Sequence, residues 1–291
     1  MTQQHMVDVL ILGAGWTSTF LIPLLSHNHT SYAATTTTGH DDTIPFKFDP
    51  DTSSSDPSDT AQYRALPYAR TILITFPLRG AEQPRTLIDR YTATHLDIGK
   101  TSAASQTPNW ILLGSTGIWT SQGVTNRHSA YDTSNARAQA EDALLALKPH
   151  HATVLNLAGL FGGARMPKTW LPRVAKTVEA AKGKTSLHLI HGEDVARLIV
   201  AGLDSKVWEK LRGGRWICTD LQVYDWWNLM MAWGGEIEGK DVKGEVLKWM
   251  REENVGALPR EKEDLGRWVD ARETWEAVGS VPVRGIMDVL G

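Results

Sequence analysis

Cysteine is nearly absent: Cys218 is the only one in 291 residues. That excludes a disulfide framework and a cysteine-based zinc site. An excess of basic charge is lacking too. Thirty Lys and Arg face 33 Asp and Glu, for a net charge of −3 and a pI near 6.4. A surface for DNA or RNA phosphates would carry the opposite balance, so no nucleic-acid partner is expected. Long apolar runs are missing as well. Val7–Leu12 has the length of a strand and falls far short of the ~20 residues of a membrane helix, so no membrane partner is expected either. The opening MTQQHMVDVLIL has no basic n-region and runs straight into that strand, so it does not read as a signal peptide, and a cytoplasmic protein is expected. With 42 % apolar and 22 % charged residues, disordered and collagen-like classes drop out. The length is about twice the ~150 residues of one domain, which suits one large α/β domain or two lobes. What the chain has in abundance is tryptophan: twelve, nine of them after residue 165.

Apolar runs alternate with helical patterns through more than two hundred residues. Val7–Leu12 reads as a strand buried on both faces, followed by a helix over 14–26 whose Pro23 should kink or shorten it. Further strands are expected over 31–36, 45–48, 69–76, from Trp110, over 153–157 and over 215–219. Further helices are expected over 82–95, 135–147 and 194–203, the last capped by Asp194. Residues 49–62 are polar and rich in Pro and Ser, which reads as a surface loop. Such alternation implies an α/β fold, a Rossmann-type doubly wound parallel sheet. From Val223 the chain turns helical and Trp-rich with no convincing strand, which suggests a smaller, mainly helical C-terminal substrate lobe. The expected division is a core of 1–165 and 187–220, with a lobe of 166–186 and 221–291.

The strongest chemical signal is Gly13-Ala14-Gly15-Trp16-Thr17-Ser18, between the first strand and a helix. A turn this tight calls for residues without a Cβ, and the second glycine lets a pyrophosphate approach the backbone. The helix's free N–H groups would then bind that anion. Ser18 stands where a third glycine is usual, so the helix sits farther from the sheet or its hydroxyl contacts phosphate. A methyltransferase site would want an acid beside the glycines and another ending the second strand, and neither is clear. The second strand ends in Thr35-Thr36-Thr37-Thr38-Gly39-His40, with neither an acid to select NAD nor an arginine to select NADP, and with Asp41 and Asp42 just beyond. Since nothing there repels a 2′-phosphate, NADP is expected, with NAD as the alternative.

Four segments occur in the order and rough spacing of extended and atypical short-chain dehydrogenases/reductases, the proteins labelled NAD-dependent epimerase/dehydratase-like. They are Gly13–Ser18, Leu113-Gly114-Ser115-Thr116-Gly117-Ile118-Trp119, Leu157-Ala158-Gly159-Leu160-Phe161-Gly162 and Ile190-His191-Gly192-Glu193-Asp194-Val195-Ala196. The chain resembles that family over roughly residues 6–220. The resemblance implies an NAD(P) cofactor lying across the sheet's carboxyl edge, touching Gly13, Gly15, Trp16, Thr17, Ser18 and Thr37. It implies backbone contacts from Phe76 and Pro77, with Arg79 near a phosphate. It also sets Asp49, at the end of the third strand, against the adenine.

The helix after the fifth strand departs from the family. Active members carry a serine or threonine after that strand, here Ser115 and Thr116, and then Tyr-x-x-x-Lys on the next helix. Anchoring on Ala140-Glu141 places Arg137 at the lysine position and Thr133 at the tyrosine position, while Tyr131 comes two residues early. Arginine can hold ribose or phosphate with a fixed charge but cannot shuttle protons. A threonine hydroxyl is a poor acid–base group at neutral pH. Ser115, Thr116, Tyr131 and Thr133 are thus the candidate catalytic residues. His191 and Asp194 have no G-x-S-x-G elbow to complete a triad and are read as structural. His150-His151 and His188-x-x-His191 lack further ligands at metal-site spacing, so no metal is expected. The Glu252-Glu253 and Glu261–Asp264 runs read as solvated helix faces.

An NAD(P)-dependent oxidoreductase on a small apolar or aromatic carbonyl or alcohol is the expected function, with Trp119, Trp170, Trp226 and Trp227 as substrate contacts. At least one of the last three should line the cleft. The alternatives are a cofactor-sensing regulator without turnover and a non-redox cyclase or isomerase.

Overall fold

The computed structural model describes residues 6–53, 56–95 and 107–286. Seven strands form one sheet: β1 (Val7–Leu12), β2 (Tyr32–Thr36), β3 (Ile44–Pro45), β4 (Ala69–Ile74), β5 (Asn109–Ser115), β6 (Ala152–Leu157) and β7 (Arg215–Cys218). Their order is β3-β2-β1-β4-β5-β6-β7, and every neighbouring pair is parallel. This is the Rossmann order, whose switch point lies at β1.

Side-chain alternation along the strands builds a core on each face. Val9, Ile11, Leu73, Ile111 and Leu155 point to one side, against α1 (Ser18–His27) and a helix over Gly192–Ala201. Leu10, Leu12, Ile72, Trp110 and Val154 point to the other, against α2 (Pro57–Ala65), α3 (Glu82–His95) and α4 (Ala136–Leu147). The Gly192–Ala201 helix is α5; α6 (Ser205–Leu211), α7 (Trp226–Trp233), α8 (Val242–Glu252) and α9 (Arg272–Val278) complete the larger helices. A third cluster packs Phe161, Leu171, Trp226, Trp227, Met230 and Trp249 away from the sheet.

Several sequence expectations need correction. Residues 57–62, read as part of a loop, belong to α2. Asp56 caps it by accepting from the Ser58 and Asp59 N–H groups, Pro57 occupies its first turn, and Tyr63 is buried. The first helix begins at Ser18, because the turn consumes residues 14–17, and it runs unbroken past Pro23 to His27. β3 ends at Pro45, four residues before Asp49. α5 starts two residues early, and its cap is His191, whose Nδ1 accepts from the Glu193 N–H at 3.2 Å, not Asp194. The tail has short strands after all. Residues 267–269 pair in parallel with 123–125, and Val269, Ala271 and Trp275 pack into the sheet's core.

Candidate functional site

The carboxyl ends of β1, β2 and β4 meet around the glycine turn. Gly13 has φ +93°, and a Cβ there would stand 2.7 Å from Thr75 Oγ1 and 3.2 Å from Phe76 Cδ1, so only glycine fits. Hydroxyls on both neighbouring strands brace it. Thr35 Oγ1 at the end of β2 accepts from the Gly13 N–H at 2.9 Å, and Thr75 Oγ1 past β4 donates to the Gly13 carbonyl. Gly15 is different. A Cβ there would meet nothing within 4 Å, so the space beside it is open. The Gly15 N–H folds back to the Gly13 carbonyl, but among the described residues the Trp16 and Thr17 N–H groups have no protein acceptor. Ser18, at the third-glycine position, is 4 % exposed, and its Oγ is buried without a hydrogen-bond partner. An open approach, two free donors and an orphaned hydroxyl at a helix start fit the pyrophosphate of a dinucleotide.

Trp16 crosses from this turn to the hairpin after β6. Its Nε1 donates to the Gly162 carbonyl at 3.2 Å, and the Arg165 guanidinium lies 4.5 Å above its ring. Phe76 lies against Gly13 and stacks on Phe48, ring centroids 5.8 Å apart, while Pro77 is exposed. Thr37 is exposed at the start of the loop after β2, which Thr36 Oγ1 closes through Thr43 and the Gly39 N–H. Asp49 turns its carboxylate to the Asp51 N–H, and its carbonyl takes a hydrogen bond from Arg90.

Ser115 ends β5, and its Oγ accepts from the Gly117 N–H at 3.1 Å, with Thr116 buried beside it. α4 returns antiparallel to the strands, and Glu141 marks its level. A Cβ on Gly114 would stand 2.5 Å from Glu141 Oε1. Arg137 lies four residues nearer the helix start, about 6 Å along the axis. That corresponds to about two strand residues and brings it to the carboxyl edge beside Ser115–Thr116. Its guanidinium is half-buried and makes no hydrogen bond or ion pair among the described residues. Burial draws its pKa down, with Glu141 opposing and Arg79 adding to the effect.

Tyr131 and Thr133 are not assembled with this group in the expected way. The Tyr131 hydroxyl donates to Asp142 Oδ1 at 2.7 Å, and Arg215 lies 4.3 Å over its ring. Burial and that hydrogen bond raise its pKa. Asp142 is one residue past Glu141, and Arg215 pairs with both carboxylates, so this tyrosine belongs to an ion cluster farther down α4 whose Glu141 is buried and whose Asp142 is partly exposed. Thr133 is exposed and precedes Asn135, the cap of α4, so it is not on the helix at all. His191 caps α5, and the buried His188 Nε2 accepts from the Val269 N–H at 3.1 Å.

Among the tryptophans, Trp119 has no accessible surface and donates its Nε1 to the Ser129 carbonyl, a core role that leaves no face for substrate. Trp226 and Trp227 are 5 % and 2 % exposed within the third cluster. Trp227 Nε1 donates to the Lys182 carbonyl under the Arg260 guanidinium. Trp170 is partly buried and packs against Gly159, three residues before Trp16's acceptor Gly162. Thr75, Phe48 and Arg165 are site neighbours that the sequence reading missed. Hydroxyl residues ending the strands on either side of β1 were a usable signal for the braces, whereas Arg165 lies about 150 residues from the turn and had none.

No family model matches the chain, and no curated protein does. Solved structures do. A short-chain dehydrogenase/reductase superfamily protein from Agrobacterium tumefaciens with bound NAD superposes at TM-score 0.62 with 9 % identity, over 98 % of this chain and 95 % of that one. Vestitone reductase from alfalfa (Medicago sativa) gives TM-score 0.59 at 16 % identity, over 97 % and 95 %. MoeE5, solved with UDP-glucose and NAD, gives 0.57 at 14 %, again over 97 % and 95 %. The chain therefore has the Rossmann fold of the short-chain dehydrogenase/reductase and epimerase/dehydratase proteins, matched along nearly its whole length.

Proposed function

We propose that this protein binds NAD(P) at the glycine turn and is an oxidoreductase acting on a small carbonyl or alcohol with an apolar or aromatic part. The open space beside Gly15, together with the free Trp16 and Thr17 N–H groups and the orphaned Ser18 Oγ, carries the reading. NADP is the preferred form, because hydroxyls (Thr36, Thr37 and Thr38) and not an acid stand at the end of β2, with Asp41 and Asp42 farther along the loop. The nicotinamide, when bound, supplies the hydride chemistry. Ser115 and Thr116 orient the substrate oxygen, and Arg137 holds ribose or phosphate with a charge that does not titrate. Since Tyr131 is tied to Asp142 and Thr133 is exposed ahead of α4, the proton comes from water held by Ser115, or from the substrate itself.

Calorimetric titration of NADPH and NADH into wild type and Gly15→Asp tests this. Because a Cβ at residue 15 meets nothing, the variant folds, and its carboxylate repels the pyrophosphate, so binding is lost. Equal affinity in a folded variant removes the site. The Tyr131–Asp142 hydrogen bond favours a second reading, a cofactor sensor without turnover. Tight NADPH binding with no oxidation across a broad carbonyl panel selects it.

A further inference from the structure

The hairpin after β6 is fastened to the glycine turn through one residue. Gly162 exchanges two backbone hydrogen bonds with Arg165, both at 3.0 Å, and its carbonyl also accepts from Trp16 Nε1 at 3.2 Å. Gly162 has φ +113°, and a Cβ there would collide with the ring of His191, so the hairpin lies directly on the histidine that caps α5. These contacts fix the Arg165 backbone and carry its guanidinium to 4.5 Å from the centre of the Trp16 ring. Stacking on an aromatic face leaves the N–H groups, which lie in the guanidinium plane, available to an acceptor. Among the described residues the Arg165 guanidinium makes no hydrogen bond and no ion pair, and the residue is exposed. No acid stands near it in the chain: residues 159–178 hold Arg165, Lys168, Arg173 and Lys176 and no Asp or Glu. The two acids that open α5 are taken, Glu193 by Arg284 at 2.8 Å and Asp194 by Arg197 at 2.9 Å.

We propose that Arg165 is a cofactor-binding residue, which closes from the hairpin over the pyrophosphate held by the glycine turn. The inference rests on the NAD(P) reading. The residue beneath the guanidinium is Trp16, one of the two whose backbone N–H is free for the anion, so the stacked charge and the phosphate site meet on the same residue. The turn itself offers only neutral donors, those N–H groups and the Ser18 hydroxyl. A helix start adds about half a positive charge, while a dinucleotide's pyrophosphate carries one negative charge on each phosphate. Arg165 supplies the missing charge, and arginine binds phosphate oxygens through paired N–H groups. Its backbone is fixed and its side chain is exposed, so the guanidinium reaches the phosphates without any movement of the hairpin. The 2′-phosphate of NADP is a different group, at the end of β2.

Calorimetric titration of NADH, NADPH and inorganic pyrophosphate into the full chain tests this, at two or more salt concentrations, with Arg165→Ala and Arg165→Lys as variants. The exposed side chain can be truncated without disturbing the fold, which circular dichroism checks. Arg165→Ala binds both dinucleotides at least ~10-fold more weakly than wild type, the scale of one charged hydrogen bond, and by the same factor for each. Its affinity also depends less on salt, because one charge fewer meets the phosphates, and Arg165→Lys falls between. Unchanged dinucleotide affinity in folded Arg165→Ala overturns the proposal and leaves the cofactor reading standing. A loss confined to NADPH overturns it too, since it places Arg165 on the 2′-phosphate. So does a weaker affinity with unchanged salt dependence, the mark of a structural role. If wild type binds pyrophosphate through Arg165 but neither dinucleotide, the cofactor reading falls and the anion site stands. If it binds none of the three, both fall.

Discussion

On the proposed reading, Arg137 stands where a lysine would carry both a cofactor contact and a proton relay, and as an arginine it would keep only the first. Truncating it to alanine should weaken dinucleotide affinity by ~1.5–3 kcal/mol, the range for hydrogen bonds to a charged group, and calorimetry with NADPH measures this. Full affinity would mean that the guanidinium does not touch the cofactor. Tyr131→Phe should leave affinity and any turnover intact, because its hydroxyl serves Asp142. Loss of turnover alone would return it to the catalytic group. Two buried residues set opposing pH dependences. Burial and Arg267 push the His188 pKa from an ordinary 6.5 to about 4, so the stability held by its neutral ring is lost as pH falls through that window. Burial raises the Asp220 pKa from 3.8 to about 6, against the hydrogen bond from the Tyr224 hydroxyl, so its contribution is lost as pH rises between those values. Relative to wild type, Asp220→Asn should therefore gain stability with rising pH between about 4 and 6, and His188→Gln should lose it. Each change is on the order of 2 kcal/mol, read from urea unfolding at a series of pH values. Parallel profiles for the two variants would refute the assignment.

At the scale of the element, α2 shows how composition misleads. Its stretch is polar and serine-rich, which suits a loop, yet the Asp56-Pro57 pair is a helix start, and Tyr63 and Leu66 give it a buried side. The helix also carries Asp59, 4 % exposed, which pairs with Arg90 at 3.2 Å, and Arg90 in turn holds the Asp49 and Thr52 carbonyls. Asp56→Ala should cost about 1 kcal/mol, as the loss of an N-cap does, without abolishing the fold. A cost within error would show that α2 is held by Tyr63 alone. The central strands β1, β4, β5 and β6 were far easier to read. Apolar runs buried on both faces need no partner information, because each residue is buried whichever helix covers it. The glycine turn was legible for a similar reason: its positive φ at Gly13 is a local backbone demand.

Across the whole molecule, the tail divides: residues 224–249 pack in the third cluster, while Val269, Ala271 and Trp275 return to the sheet's core. Trp275 is 2 % exposed and shares a core with Val195 and Ile217, and its Nε1 donates to the Thr219 carbonyl at 2.9 Å. Trp275→Ala should cost ~3–5 kcal/mol, as large-to-small changes in a core do, and shift a single unfolding transition measured by both near-UV and far-UV circular dichroism. Two separated transitions would instead mark the tail as an independent unit. The amino-acid sequence by itself determined the alternating strands and helices, the parallel sheet they imply, and the turn at Gly13–Ser18, since each follows from local periodicity or backbone freedom. The tertiary structure alone decided that Tyr131 faces Asp142, that Arg165 reaches Trp16, and that the loop after β4 is tied to the first turn of α4 through Gly80 and Ala136. Those outcomes depend on contacts between segments far apart in the chain, where packing of the whole sheet, and no local pattern, chooses each side chain's partner.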